Sequence, residues 1–503
     1  MNTRTRTLVG AALLTFIPLV AQAQVLRVGL AEDPDILDPT LARTFVGRIV
    51  FSALCDKLLD VDEKLAIIPQ LATSYQWSAD NKSLTMKLRS GVTFHDGEKF
   101  DAEAVKFNIE RHKNMAGSNR SGELRPVTSV DVVDATTVRL NLSAPFSPLL
   151  AALADRAGMM VSPKAATAGG ANFGTAPVCS GPFKFVERVA QDKIVFEKYA
   201  NYWNKDKIHF NRIVYTPIPD STVRLANLRS GQLDFIERAA SSDIAKIAAD
   251  PKLKVSKITE IGYQGITINT GKSDKAQANP LGKDARVREA FELSLDRQGI
   301  VQVVMDGEAV AGNQWVAPSS SFYAKNAPMP KRDVARAKAL LKEAGVPNPS
   351  FTLMTATTSD AQKIAQVVQA MAKEAGFDVK IQSTEFASSL KLADQGDFEA
   401  YVLAWSGRAD PDGNVYSFLA CKQPLNYSGF CKPEIDALLN EARTKSSMAD
   451  RVKAYEQVAA QAVKDRPIVY LYHRNWLWAY NAKLSGVREV PDGLLRVEGL
   501  KLN

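Results

Sequence analysis

The order of pattern changes within residues 85–111, TMKLRSGVTFHDGEKFDAEAVKFNIER, leaves little freedom in how this part of the chain can run. Thr85, Lys87 and Arg89 alternate with Met86 and Leu88, the period-two pattern of a strand with one buried face. Ser90-Gly91 interrupts it with a residue free to take positive φ, so the strand turns there. Val92-Thr93-Phe94 resumes an extended run, and His95-Asp96-Gly97 supplies the chemistry of a second turn. Asp101 then stands where an N-cap belongs, ahead of Ala102, Val105 and Ile109 at helical spacing. Strand, turn, short strand, turn and capped helix are expected in that order.

A His beside an Asp invites thoughts of metal or acid-base chemistry. The chain has histidines only at 95, 112, 209 and 473, and no two share the spacing of ligands on one helix face. His95 and Asp96 are therefore read as turn residues, and no metal or other cofactor is expected. Residues 265–273, GITINTGKS, imitate a phosphate loop but put five residues between the glycines; the backbone cradle needs four. No G-x-S-x-G elbow occurs, which argues against a secreted α/β hydrolase. The net charge of +8 is spread without basic blocks, the pattern of a solvated surface rather than of nucleic-acid or membrane binding.

Residues 1–23 read as an export signal: Arg4 and Arg6 precede an apolar run at 8–20 too short to span a bilayer, and Ala21-Gln22-Ala23 forms a small-x-small cleavage site. No cysteine near this site would accept a lipid, so a soluble periplasmic protein beginning at Gln24 is expected. In that oxidising compartment the four cysteines allow three pairings. Cys421 and Cys431 lie ten apart around Pro424 and Gly429, the spacing of a stapled surface loop. Cys55 and Cys179 either pair or stay buried as thiols.

Beyond its own turn logic, the run Leu88-Arg89-Ser90-Gly91-Val92-Thr93-Phe94-His95-Asp96-Gly97, followed by Phe100-Asp101-Ala102-Glu103-Ala104-Val105, resembles the signature of the family 5 extracellular solute-binding proteins. These are the dipeptide, oligopeptide and nickel receptors of bacterial ABC importers. Pro69-Gln70-Leu71-Ala72 and Trp77-Ser78-Ala79-Asp80-Asn81-Lys82 match the same pattern upstream. The resemblance implies a non-enzymatic α/β protein with the two-lobed periplasmic binding protein fold, a hinge of two crossing segments and an extra subdomain inserted in the first lobe. It also implies a small peptide or peptide-like ligand, delivery to an inner-membrane ABC permease with its ATPase, and a monomer. A same-fold receptor for a metal chelate, haem or an opine-like solute is the alternative, prompted by His473.

The residue patterns divide accordingly. Residues 24–58 open lobe I, with an apolar helix at 49–59. Residues 59–176 form the inserted subdomain, and 177–262 complete lobe I with strands at 183–199 and 213–215, a helix at 220–228 begun by Asp220 or Ser221, and a strand at 233–236. Residues 263–480 make lobe II. There a strand at 351–355, the helical stripe from Ala361 to Ala375 and a strand at 379–382 imply parallel pairing. The crossings are expected at 263–270 and 468–480, and 481–503 return to lobe I.

The loop after the strand at 399–405 reads Ala404-Trp405-Ser406-Gly407-Arg408-Ala409-Asp410-Pro411-Asp412-Gly413, at the strand end where open α/β sheets place ligands. In the resembling peptide receptors this strand end pairs with the extended ligand backbone, and an Asp three residues after the Trp holds its amino group. Here that offset falls on Arg408, with Asp410 or Asp412 as substitutes. The expected ligand contacts are Trp405, Arg408, Ser406, Ala404 and Asp410, with Tyr427, Tyr263, Arg43 and Phe45 as further candidates. Arg408 needs an anionic partner when buried: an acid of the solute, or Asp410 or Asp412 beside it.

Overall fold

The computed structural model describes residues 24–503; the expected export signal lies outside them. The first sheet forms around Val25–Leu30, whose Leu26, Val28 and Leu30 are fully buried. Arg212–Pro217 lies parallel on one side of it and Phe235–Ile236 on the other. Lys193–Lys198 and Phe183–Val189 extend the sheet antiparallel. The helix Ser221–Arg229 starts where Asp220 accepts the Val223 N–H, satisfying a donor that the helix cannot pair internally.

Thr44 caps a second helix, Phe45–Leu54, which drives Val46, Ile49, Val50 and Phe51 into the same core. The apolar run had suggested helix through residue 59. It stops earlier because the Gly181 N–H takes the Leu54 carbonyl and Cys55 is tied to Cys179. Leu59–Val61 then forms a small ladder with Ile67–Pro69.

Residues 72–142 carry a separate four-stranded antiparallel sheet, ordered Ala72–Trp77, Ser83–Leu88, Thr137–Leu142, Val127–Asp134. The helix Ala102–Asn114, capped by Asp101 as expected, covers one face, and the enclosed core is distinct from the first. The short strand expected at 92–94 is reduced to a bridge between Thr93 and Lys99. His95 explains this: its N–H donates to the Cys179 carbonyl at 2.9 Å and its Nε2 meets the Gly181 carbonyl at 2.9 Å, so the segment docks on a loop instead of a ladder.

The second lobe's sheet runs Asp378–Thr384, Ser350–Ala356, Ala400–Trp405, Tyr263–Ile268. Its first three strands are parallel, and the crossover helix Ser359–Glu374 buries Ile364, Ala365, Val368 and Ala372 against them. Helices Pro433–Thr444 and Met448–Asp465 close the other side.

A single strand, Ile468–Asn481, joins the lobes. Residues 468–472 pair with Tyr263–Ile268 of the second lobe, whereas residues 475–481 pair with Leu253–Thr259 and reach Phe235–Ile236 of the first. The change of sheet therefore falls at 473–475 and, on the partner strand, at 260–262. The expected crossings at 263–270 and 468–480, and the lobe II bound at 480, ran past it, because an unbroken apolar run carries no mark of where its partner changes. At this point Gly262 and Gly407 touch backbone to backbone. A Cβ on Gly262 would lie 1.8 Å from the Trp405 carbonyl oxygen, and Gly407, at φ +80°, would place one 2.3 Å from the Ile261 carbonyl carbon.

The cysteines pair Cys55 with Cys179, 124 residues apart, and Cys421 with Cys431, 10 apart. Chain-entropy reasoning makes the longer loop the more stabilising, by about 2 kcal/mol. The double variant Cys55→Ser/Cys179→Ser is expected to lose that much more stability than Cys421→Ser/Cys431→Ser in urea unfolding; equal losses would contradict it.

Candidate functional site

Between the lobes lies a cavity with about 1090 Å³ of empty space, its opening to solvent included. Its second-lobe wall is the end of the Ala400–Trp405 strand. That strand pairs along its length with Tyr263–Ile268, but on its other side Ser350–Ala356 pairs only with Ala400 and Tyr401. From Val402 onward this edge has no ladder partner, and Ala404 is exposed there. An open edge of this kind presents backbone donors and acceptors to an extended chain.

Aromatic side chains make the cavity's apolar surfaces. Phe45 stacks on Trp476 with centroids 4.2 Å apart and planes within 8°. Trp405 is fixed by its Nε1–H, which donates to Asn414 Oδ1 at 3.0 Å, and by edge contact with Phe418 at 4.7 Å.

Charge is distributed unevenly. On the first lobe, Arg238 Nε donates to Glu237 Oε2 at 2.7 Å and Nη1 to Glu32 Oε1 at 2.9 Å, while the buried Nη2 has no partner. Burial works against its charge, but Glu237 and Glu32 outweigh that and push its pKa up. Arg224 spends its Nη groups on the carbonyls of Ile218, Pro219 and Arg238, leaving Nε bare. On the second lobe, Asp360, in the first turn of its helix, lines the same cavity. Among the described residues it has no ion-pair partner. At the crossing itself, Glu260 accepts the Arg474 backbone N–H at 2.8 Å and faces its guanidinium at 3.5 Å.

Of the residues singled out from sequence, Ala404, Trp405, Ser406, Tyr427, Arg43 and Phe45 meet around this cavity. Arg43 reaches across the lobes to Asp394 at 2.6 Å and to the Tyr427 hydroxyl at 3.2 Å. Burial raises the Tyr427 phenol to about 12, against the pull of Arg43. Tyr263 does not line the cavity; it is packed in the second lobe's core against Tyr470.

Arg408 also points away. Its guanidinium sits 4.3 Å from the Trp405 ring centroid, outside the cavity, and Nε is 2.5 Å from Asp155 Oδ2 of the first lobe. Asp410 is held by Arg451 at 2.6 Å and Asp412 by Arg443 at 3.0 Å. The local carboxylates thus do not neutralise Arg408, as adjacency had suggested; helices from the same lobe claim them first. Arg48, which shares Asp155, also donates to Ser406 Oγ at 3.1 Å.

Sequence reasoning passed over Glu32, Arg224, Arg238, Glu260, Asp360 and Arg474. Asp360, an acid two residues after Thr358 at a helix start, carried a readable signal. The others are single charges in apolar surroundings with no spacing to mark them.

The two-lobed architecture with a cavity between the lobes is matched by the comparisons. Residues 66–426 match the profile of the bacterial extracellular solute-binding proteins, family 5 Middle. The chain belongs to this family. It is 28% identical over 481 residues to the glutathione-binding protein GsiB of Pectobacterium atrosepticum, covering 93% of this chain and 92% of the relative. Among solved structures it is similar to the PBP AgaA from A. tumefaciens R10 in complex with agropinic acid, with 27% identity, TM-score 0.86, and coverage of 95% and 99% of the two chains. It is similar as well to the periplasmic binding protein DppA from Helicobacter pylori in complex with the peptide STSA, with 26% identity, TM-score 0.86, and coverage of 95% and 98%. The family and these relatives are binding proteins. No helix among the described residues is long and apolar enough to cross a membrane.

In this family 5 protein the crossing carries its own pH dependence. Burial raises Glu260 from 4.5 to about 7, although Arg474 pulls the other way. The folded state then binds this proton more tightly than the unfolded chain, so Glu260's own contribution to stability is fully present below about pH 4.5 and is lost as pH rises toward 7. Glu260→Gln is expected to remove about 3 kcal/mol of that loss, measured as urea unfolding across the window. A variant with the wild-type slope would contradict the assignment.

Proposed function

We propose that this protein is the periplasmic receptor of an ABC importer, that it closes over a small zwitterionic peptide-like solute, and that it hands the solute unchanged to a membrane permease and its ATPase. The observation that carries the reading is the strand edge at Ala404, unpaired among the described residues, inside an interlobe cavity that also holds the Asp360 carboxylate, without an ion pair, on one lobe and leftover guanidinium donors of Arg238 and Arg474 facing it. Extended backbone fits the edge, and Ala404 and Ser406 supply its main-chain contacts. Trp405, Phe45 and Tyr427 provide surfaces for side chains. Asp360 receives the amino group, while Arg238 Nη2 and Arg474 receive a carboxylate. The relatives named for glutathione and for a peptide support the same class.

Closure supplies the mechanism. A solute that touches both lobes has differential affinity for the closed form and shifts the population toward it. Arg43, joined to Asp394 and Tyr427 of the facing lobe, is one of the contacts made only then. Arg408 belongs to the same set of lobe-to-lobe contacts rather than to the solute's shell.

Calorimetry with dipeptides and glutathione, each beside its N-acetyl and C-amide forms, tests the reading. The wild type is expected to prefer the free zwitterions. Asp360→Asn should weaken the free-amine ligand roughly tenfold to a hundredfold and leave the N-acetyl form unchanged. Equal losses for both forms would remove Asp360 from the amine, and no binding by any of these ligands would remove the peptide-like class.

A further inference from the structure

On the far side of Trp405 lies a second, smaller recess with about 490 Å³ of empty space, open solvent included, walled by Glu123 and Phe146 of the first lobe and by Arg408, Asp410, Asp412 and Arg443 of the second. Beside it four guanidiniums gather around two carboxylates. Asp155 is 3.0 Å from Arg48 Nη2 and 2.5 Å from Arg408 Nε, and Glu123 is 2.5 Å from Arg120 Nη1. Arg156 has a single side-chain bond, from Nη1 to the Ala42 carbonyl at 2.7 Å. Arg120 and Arg156 are completely buried, and Arg48 and Arg408 nearly so.

Four positive charges thus face two negative ones, and the acids of the adjoining loop are already committed to Arg451 and Arg443. Arginine does not escape by losing its proton. Burial pushes both Arg156 and Arg408 downward, Arg156 with help from Arg120 and Arg408, and Arg408 to about 9 against the pull of Asp155. Among the described residues five donors, Nε and Nη2 of Arg120, Nε and Nη2 of Arg156, and Nη2 of Arg408, are buried with no hydrogen-bond partner, against two such acceptors in the cluster, Glu123 Oε2 and Asp155 Oδ2. Leaving such groups unpaired costs several kcal/mol in total, and a buried anion removes that cost.

We propose that this cluster holds one small monovalent anion of the halide class, and that the ion helps to fasten the lobes. Arg48, Arg120, Asp155 and Arg156 come from the first lobe and Arg408 from the second, so the site is complete only in the closed form. By linkage, the ion favours closure as much as closure favours the ion. The carboxylate of a solute long enough to pass Trp405 has the same chemistry. The free ion is favoured because Arg120, Arg156 and Arg408 are all absent from the wall of the larger cavity.

The test uses bromide and the full exported chain. Crystals grown in sodium bromide are expected to show an anomalous peak within hydrogen-bond reach of Arg120, Arg156 and Arg408. In urea unfolding at constant ionic strength, replacing gluconate by bromide at ten times its Kd should shift the folding equilibrium about tenfold. Arg156→Gln keeps a donor for the Ala42 carbonyl but removes one positive charge, so it should lose most of the bromide response and be at least as stable as wild type in gluconate. Bromide peaks only on the surface, density there for a solute carboxylate instead, or equal wild-type stability in both salts would overturn the proposal. Should the variant not fold, the wild-type diffraction and salt comparison decide it.

Discussion

The backbone of Ile468–Asn481 sets what the rest of the molecule can do. Thirteen of its fourteen residues are buried, and buried peptide groups must be paired. Each half of the strand meets that requirement with a different lobe. The lobes are therefore connected by hydrogen-bonded ladder rather than by slack chain, and the ladder changes partner over only a few residues. Glu260, Arg474 and His473 occupy that junction. His473 Nδ1 meets the Gly262 carbonyl at 2.6 Å, and burial lowers the ring's pKa to about 4. The imidazole is thereby held against the backbone of the crossing.

The electrostatics separate two kinds of arginine. Arg43, Arg238 and Arg451 have acids close enough to outweigh burial, so their charges are settled before any solute arrives. Arg156 and Arg408 do not, and burial dominates. A cleft built from the first kind is preorganised, since its donors are held in place and only leftover valences face the ligand. A contact built from the second kind is unfinished until something else joins it.

Much of the fold was legible because it rests on local chemistry. Asp101 and Asp220 announced their helices through the cap geometry they adopt, and the stripe from Ala361 to Ala375 announced a parallel crossover. The strand at Val92 was misread because its extended pattern serves docking through His95, and no local rule distinguishes a strand that pairs from one that leans on a loop. The Trp405 loop was legible through its resemblance to a known pattern. Its partners were not. Asp155 lies far from Arg408 in sequence, and nothing near Arg408 shows that Arg443 and Arg451 will take the acids beside it. Ion pairing across lobes is a property of the closed fold, and single charges in apolar surroundings look alike until the fold brings them together.

The bare contact between Gly262 and Gly407 has a consequence for how such a receptor can change over time. One glycine belongs to the hinge and the other to the loop behind Trp405, and no side chain lies between them to cushion or tune the joint. The crossing and the Trp405 loop thus meet by backbone alone. Side chains around the cleft can change without touching that contact, whereas any residue larger than glycine at either position would have to force the two backbones apart. The joint between the lobes and the lining of the cavity are thus set by different residues.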